Sequence, residues 1–313
     1  MSVLIYSMFS GLVYGLILFM LASGLTLVFG LMGIINFAHA SFYMLGAYFA
    51  WVMAGWIGFW GALLVAPVVV AIIGLWVEVF LLRRVHTHGH GAELLVTFGL
   101  LLVFEEIVKM FFGIGFVDYA IPEGMRFTAF TFDGMNFPFY RLFVAAVALL
   151  LFLIIYLVMS RTRVGIVVRA AVTRPDMVGA LGHNVSAIMA GVFALGCWMA
   201  GVAGVLGGAL MTTTPQMAIQ QAITVFVVVV VGGLGSLEGA LYASLLIGVL
   251  SSVAVNIDVS MADLTAYLGF GDVLRGAGSI FNVRLSAFAG SVPVILMLLV
   301  LLARPAGLRG ERL

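Results

Sequence analysis

Residues 3–48 read VLIYSMFSGLVYGLILFMLASGLTLVFGLMGIINFAHASFYMLGAY, and no charge occurs among the first 33 of them, Val3 to Ile35. As one helix those 33 residues would extend about 50 Å, against roughly 30 Å of hydrocarbon in a bilayer. The run is too long for one upright span and too short for two. Gly30 and Gly33 interrupt its end, and the polar residues Asn36, His39 and Ser41 follow directly.

Composition settles the environment. The chain is 64% hydrophobic and 9% charged over 313 residues, whereas a soluble domain carries about 25% charged residues. A surface for water cannot be assembled from so few polar groups. The fold class is therefore all-α, a polytopic transmembrane helix bundle. Runs such as LLVAPVVVAIIGLW (63–76) lack the alternation that a membrane barrel requires. Eight or nine membrane segments fit, near 3–26, 37–56, 59–82, 94–113, 140–160, 187–210, 220–234, 238–257 and 285–303. They form a single transmembrane domain, 1–313. The first hydrophobic run has no basic leader and is expected to be retained as a helix. Single Cys197 sits in an apolar segment and reads as a small core residue. Net charge +1 carries no signal for nucleic acid.

Arginines set the orientation. Arg83, Arg84, Arg161, Arg163, Arg169, Arg174, Arg304, Arg309 and Arg312 share one side if every segment crosses. Arg126, Arg141, Arg275 and Arg284, with Lys109 near a helix end, fall on the other, together with Asp118, Glu123, Asp133, Asp258, Asp263 and Asp272. The positive-inside rule places the first group and the C-terminus in the cytoplasm and the N-terminus outside.

A second irregular segment is AITVFVVVVV (222–231), about 15 Å of helix, followed by GGLGS. Short, glycine-broken segments at corresponding positions of two halves mark a transporter's pathway. VFGLMG (28–33) and VVGGLG (230–235), with Gly30, Gly33, Gly232, Gly233 and Gly235, have that character. Re-entrant half-helices and tight helix packing through small residues are both open readings. Asn36 is expected to cap a helix beginning at Phe37. Asn36, His39 and Ser41 then either line a solute route or only cap and pack.

RTRVGIVVRAAVTRPDMVGALGHNVSAIMAG (161–191) is the most informative hydrophilic stretch. TRPDMVGALG predicts a short helix: Pro175 suits its first turn, Asp176 favours the N-terminal dipole, and Gly182 ends it. Met177, Val178, Ala180 and Leu181 give it an apolar side suited to a groove on a partner protein. This loop resembles the coupling loop of ABC importer permeases, with Arg169, Ala170 and Ala171 where many carry an acidic residue and two alanines. Gly182 stands at those permeases' glycine. With SGLTLVFGLMGIINFAHASFYMLGAY (23–48), GVFALGCWMAGVAGVLGGAL (191–210) and FVVVVVGGLGSLEGALYASLLIGVLSS (226–252), the chain is similar to permeases of branched-chain amino acid ABC transporters. It departs at Arg169 and at Ala40, where many relatives have glycine.

The resemblance implies a bacterial inner-membrane subunit with a coupling loop at about 161–186, a second homologous permease, two cytoplasmic ATPases and an external or periplasmic solute-binding protein. Branched-chain amino acids are the first solute to consider; similar permeases serve urea, short amides and aromatic acids. ATP and Mg would bind the partner subunits, and no cofactor is expected on this chain, nor is enzymatic activity. GGLGSLEG (232–239) lacks the Lys-Ser/Thr ending of a phosphate loop, so the motor must be another chain.

Other clusters weigh less. Glu105, Glu106 and Lys109 share a helix at i, i+3 and i+4 spacing and read as a structural charge cluster facing other helices. Even so, they offer the only coupling-ion site for the alternative reading, a self-sufficient secondary transporter or channel. HTHGHG (86–91) would align His86, His88 and His90 only if extended; a surface loop is the plainer reading. MTTTPQMAIQQ (211–221) reads as a wet turn or a pathway mouth. An intramembrane enzyme would need an acid beside His39, and none is near in sequence.

Overall fold

The structure is a computed structural model describing residues 2–34, 36–256 and 284–309. Asp258, Asp263, Asp272, Arg275 and Arg312 lie outside the described residues. The long uncharged run is one helix, α1 (Ser2–Met32), about 46 Å of it. Helix α2 (His39–Val77) follows and runs on through a π-helical turn, Glu78–Leu82, and α3 (Arg83–Val85). Then come α4 (His90–Phe112), α5 (Phe139–Arg161), α6 (Arg163–Thr173), α7 (Pro175–Ala180), α8 (Val185–Gly208), α9 (Met217–Gly232), α10 (Leu237–Asn256) and α11 (Val292–Ala303). Six of the described helical stretches are long and apolar enough to cross a membrane. The last expected segment is α-helical only from Val292, after a 3₁₀ turn over Leu285–Ser291.

Helix α2 is two limbs. Gly58 has φ +72° and ψ 171°, outside the helical region, and the chain reverses there. The reversal is read from α8. Tyr43 and Ala47 in the first limb meet Gly204 and Gly208, so that limb runs parallel to α8. In the second limb Pro67 and Val70 meet Gly201 while Gly74 meets Cys197, so this limb runs antiparallel. Segments expected at 37–56 and 59–82 are thus two crossings divided at Gly58.

Glycine makes these contacts possible. A Cβ at Gly46 would lie 2.5 Å from the Gly201 carbonyl oxygen, and one at Gly204 would overlap the Tyr43 carbonyl. Helices α1 and α10 meet in the same way, with Gly11 and Gly15 against Gly248 and its neighbours. In a bilayer, where lipid is as apolar as leucine, such close backbone approach is a main source of helix association. Around it Phe19, Phe42, Tyr43, Tyr48, Tyr140 and Phe193 are fully buried.

The parts fall into two sets of opposite sense. Helix α1, a turn, the first limb of α2, the turn at Gly58 and the second limb are matched by α8, a turn, α9, a turn at Gly233 and α10. In this order the counterpart of Gly233 is Gly58. The two glycine motifs expected to be equivalents are instead a contact pair: a Cβ at Gly30 would sit 2.9 Å from Gly235 Cα.

Arg83 and Arg309 mark one rim of the bundle. Arg83 pairs with Glu78 at 3.0 Å and reaches the Ser186 carbonyl at the start of α8. Arg309 pairs with Glu238, beside the Gly30–Gly235 contact. On the opposite rim Val117 N–H bonds Thr213 O, Arg141 bonds Ser10 Oγ at 2.5 Å, and a hairpin of β1 (Thr128–Phe132) and β2 (Met135–Pro138) turns at Asp133-Gly134. Both turn residues have positive φ, 49° and 78°, as a tight two-residue hairpin demands. The hairpin was not expected from the sequence. Phe130 stacks on Phe137 across it.

Replacing Gly204 by Val should drive α8 off the first limb of α2, with a cost of about 1–3 kcal/mol typical of overpacking. Gly191 on the same helix has open space at its Cβ position, so Gly191→Ala is the matched control. Thermal unfolding in detergent should fall for Gly204→Val and hold for Gly191→Ala.

Candidate functional site: a polar nook at half depth

Helix α2 begins inside the bundle rather than at a rim. The His39 ring bonds the Leu21 carbonyl at 3.1 Å and faces Gly24, which in turn meets Gly196 near the middle of α8. Gly24 lies eight residues before the end of α1, about 12 Å of helix. Between Gly33 and Ala38 the chain therefore returns by that distance before α2 begins. Gly33, at φ +68°, makes the return possible. The helix starts at His39 with Ala38 as its N-cap residue and no side-chain cap bond. Asn36 does not cap; its backbone carbonyl accepts from His39 N–H at 3.1 Å, and its side chain points elsewhere.

Asn36 and His39 are each 1% exposed, and Ser41 is fully buried. Among the described residues Asn36 Nδ2 and Oδ1, His39 Nδ1 and Ser41 Oγ have no hydrogen-bond partner. A carbonyl cannot donate, so the His39 Nε2 contact fixes the proton on Nε2 and leaves Nδ1 as a bare acceptor. Burying an amide without a partner costs a few kcal/mol even in a protein interior. Three such residues within six positions are therefore a standing cost that packing alone does not explain.

Asn36 and His39 open on a small cavity, about 10 Å³ for the centre of a water-sized body. Leu25, Phe37 and Ala40 line it from one side, and Ala222, Val225 and Phe226 of α9 from the other. Ser41 shares the buried turn without lining the cavity. Gly232, Gly233 and Gly235 stand away from it, at the arginine rim. Sequence reading missed Phe37, Val225 and Phe226; their signal was the i, i+3, i+4 spacing of 222, 225 and 226 on one face of a short helix. That helix has 16 residues, about 24 Å, and extends beyond the ten-residue apolar run 222–231 to start at Met217.

The loop at the arginine rim has the anticipated helix. Pro175 opens α7, Asp176 is in its first turn, and Gly182, at φ +85°, closes it, with His183 N–H bonding back to Val178 O. Val178 turns inward, so it does not share the outer apolar side. Met177 is 57% and Leu181 77% exposed, and Val164 and Ile166 of α6 are exposed beside the same loop. Arg169 folds back onto the Met159 carbonyl, and Ala171 is buried. Among the described residues Arg169 forms no salt bridge.

Lys109 bridges both acids of its cluster, at 2.8 Å from Glu105 and 2.8 Å from Glu106. Glu105 is buried and Glu106 exposed, so only one acid faces other helices. The histidines are not an extended row. His86–His88 is a 3₁₀ turn, and His86 and His90 converge on the buried Glu93. Thr213 of the 211–221 segment is buried and bonds Gly208 O. On that opposite rim Trp51, Phe59, Tyr119, Glu123 and Arg126 border a cleft of about 370 Å³.

Residues 7–301 match the family described as branched-chain amino acid transport system / permease component. The high-affinity branched-chain amino acid transport system permease protein BraD of Pseudomonas aeruginosa is 26% identical over 315 residues, covering 96% of this chain and 94% of that one. LivH of Escherichia coli K12, named likewise, is 26% identical over 329 residues, with 97% and 94% covered. A probable LivH of Methanocaldococcus jannaschii is 27% identical over 311 residues, with 96% and 90% covered. Among solved structures, PsaBC from Streptococcus pneumoniae in complex with Fab aligns with a TM-score of 0.46 at 12% identity, over 93% of this chain and 90% of that one. A family match across 7–301 leaves only short ends outside it, and the chain belongs to the branched-chain amino acid permease family of ABC transport systems.

Proposed function

We propose that this chain is a permease subunit of an ATP-driven, binding-protein-dependent importer, that its solute is a branched-chain amino acid, and that the nook at Asn36 and His39 lies on the solute's route. The observation that carries this reading is a helix starting at half depth beside a cavity lined by Asn36 and His39, whose side chains hold three unbonded polar atoms among the described residues. Irregular backbone at membrane depth is tolerated where it is enclosed by protein or lines a path. The nook's groups are neutral donors and acceptors among apolar walls. They suit a solute of no net charge with an apolar body. Affinity there need only be transient if an external binding protein does the selecting.

Positive-inside reasoning places the arginine rim in the cytoplasm. There Met177 and Leu181 of α7 would seat in separate ATPase subunits, and α7 would pass their closure to α8 through the short link 181–184. A second permease of the same kind would complete the bundle, which would alternate between outward and inward openings. The charge cluster on α4 does not favour the secondary-transporter reading, because Lys109 already pairs with both acids.

Two outcomes check this. Met177→Asp with Leu181→Asp should leave the chain inserted but lower solute uptake and co-purification of the ATPases at least tenfold; unchanged co-purification would remove α7 from the coupling role. Asn36→Leu should cut leucine uptake in cells more than tenfold with a normal amount of protein in the membrane. Full uptake in that variant would reduce Asn36 to packing.

A further inference from the structure

Asn36 is sealed from the surroundings by rings. Phe37 stacks on Phe226 of α9, with centroids 5.7 Å apart and planes at 28°. Phe98 of α4 meets Phe37 edge-on at 6.4 Å and 89°. Phe37 and Phe226 line the nook on their inner sides. Both rings are only half-buried, and Phe98 is exposed, whereas Asn36 directly behind them is 1% exposed. The three rings come from three separate elements, so no single helix holds the cover in place.

We propose that Phe37 and Phe226 are the two leaves of an aromatic gate over the polar nook, opened when α9 moves away from the start of α2. The inference rests on the reading that the nook lies on the solute route and adds the barrier that controls entry. One leaf stands beside a swivel: Phe37 follows Gly33, which has φ +68° and where a Cβ would meet nothing within 4 Å. The other, Phe226, lies within α9, about 9 Å before the helix ends at Gly232. An offset ring stack is a contact that breaks and re-forms without leaving any hydrogen bond unmet. A polar latch in the same place would leave another buried group unpaired each time it opened.

The single native cysteine makes a direct test available. With Cys197→Ala as background, Asn36→Cys is introduced and its rate of reaction with a charged methanethiosulfonate reagent is measured in membrane vesicles. That reagent needs a water-filled path. With both rings present the site should react slowly. Adding Phe226→Ala or Phe37→Ala should raise the rate at least tenfold, and Phe226→Tyr, which keeps the ring, should restore slow reaction. Unchanged rates in both alanine variants would overturn the gate. So would equally fast labelling of native Cys197, fully buried in α8, in a Phe226→Ala chain that retains it, because the bundle would then be loosened as a whole. The labelling does not depend on transport. Absent leucine uptake in the parent transporter would sink the proposed function and leave the gate result standing.

Discussion

Backbone-to-backbone contact between α8 and the first limb of α2 is the constraint from which the rest follows. A chain inside a bilayer has no water to satisfy exposed N–H and C=O groups, so a helix can begin at half depth only where protein closes around it. Gly46 against Gly201, and Gly204 against Tyr43, bring the two axes close enough to do so. Gly24 against Gly196 brings α1 to the same level and sets the Leu21 carbonyl in reach of His39. Any larger residue at these positions would hold the helices apart and let lipid reach the backbone at the start of α2. Three helices held by glycine thus make the shelter, and the nook occupies it.

The membrane class, the crossings and the reversal near residue 58 were legible because long apolar runs separated by basic clusters are a one-dimensional signal. The α7 helix was legible for a different reason. Pro175, Asp176 and Gly182 act locally, each on its own turn, and need no tertiary partner. Asn36 misled, since cap preference is a local rule and the return of the chain into the bundle overrode it. The glycine motifs misled similarly: 28–33 and 230–235 look alike because both are close-contact turns, and they touch each other instead of occupying matched places in two halves. Phe226 was hidden in a run of valines where nothing marks the residue that meets Phe37. The Asp133-Gly134 hairpin carried a readable turn signal, but it lies in a stretch whose charges drew attention to orientation instead.

The distribution of charge fits the division of labour between nook and rims. Every acid and base that enters the hydrocarbon depth on α4 is paired: Lys109 with Glu105 and Glu106. The nook has none. An ionised group at a helix centre costs about 2.5–3.5 kcal/mol on insertion scales, and one in the nook would also attract counter-charges into the route. The neutral amide and imidazole of Asn36 and His39 offer donors and acceptors without either penalty. They are strong enough to replace part of a solute's hydration and too weak to trap it.

The far end of α9 shows how the same constraint reaches the end of the chain. Helix α9 ends at Gly232 on the arginine rim, and its last carbonyls need donors. Gly233 N–H takes Val229 O and Val230 O, while the carbonyls of Val231 and Gly232 are met by Leu308 N–H at 2.8 Å and Arg309 N–H at 3.1 Å. For this the tail must lie directly on the Gly233 backbone, and Gly307 at φ +80° permits it: a Cβ there would be 2.7 Å from Gly233 Cα. Arg309 then pairs with Glu238 and covers the Tyr242 ring. Residues that read in sequence only as part of a basic C-terminus are therefore the cap of a membrane helix. They fix the end of α9 opposite its entry turn, and with it the level at which Ala222, Val225 and Phe226 face the start of α2.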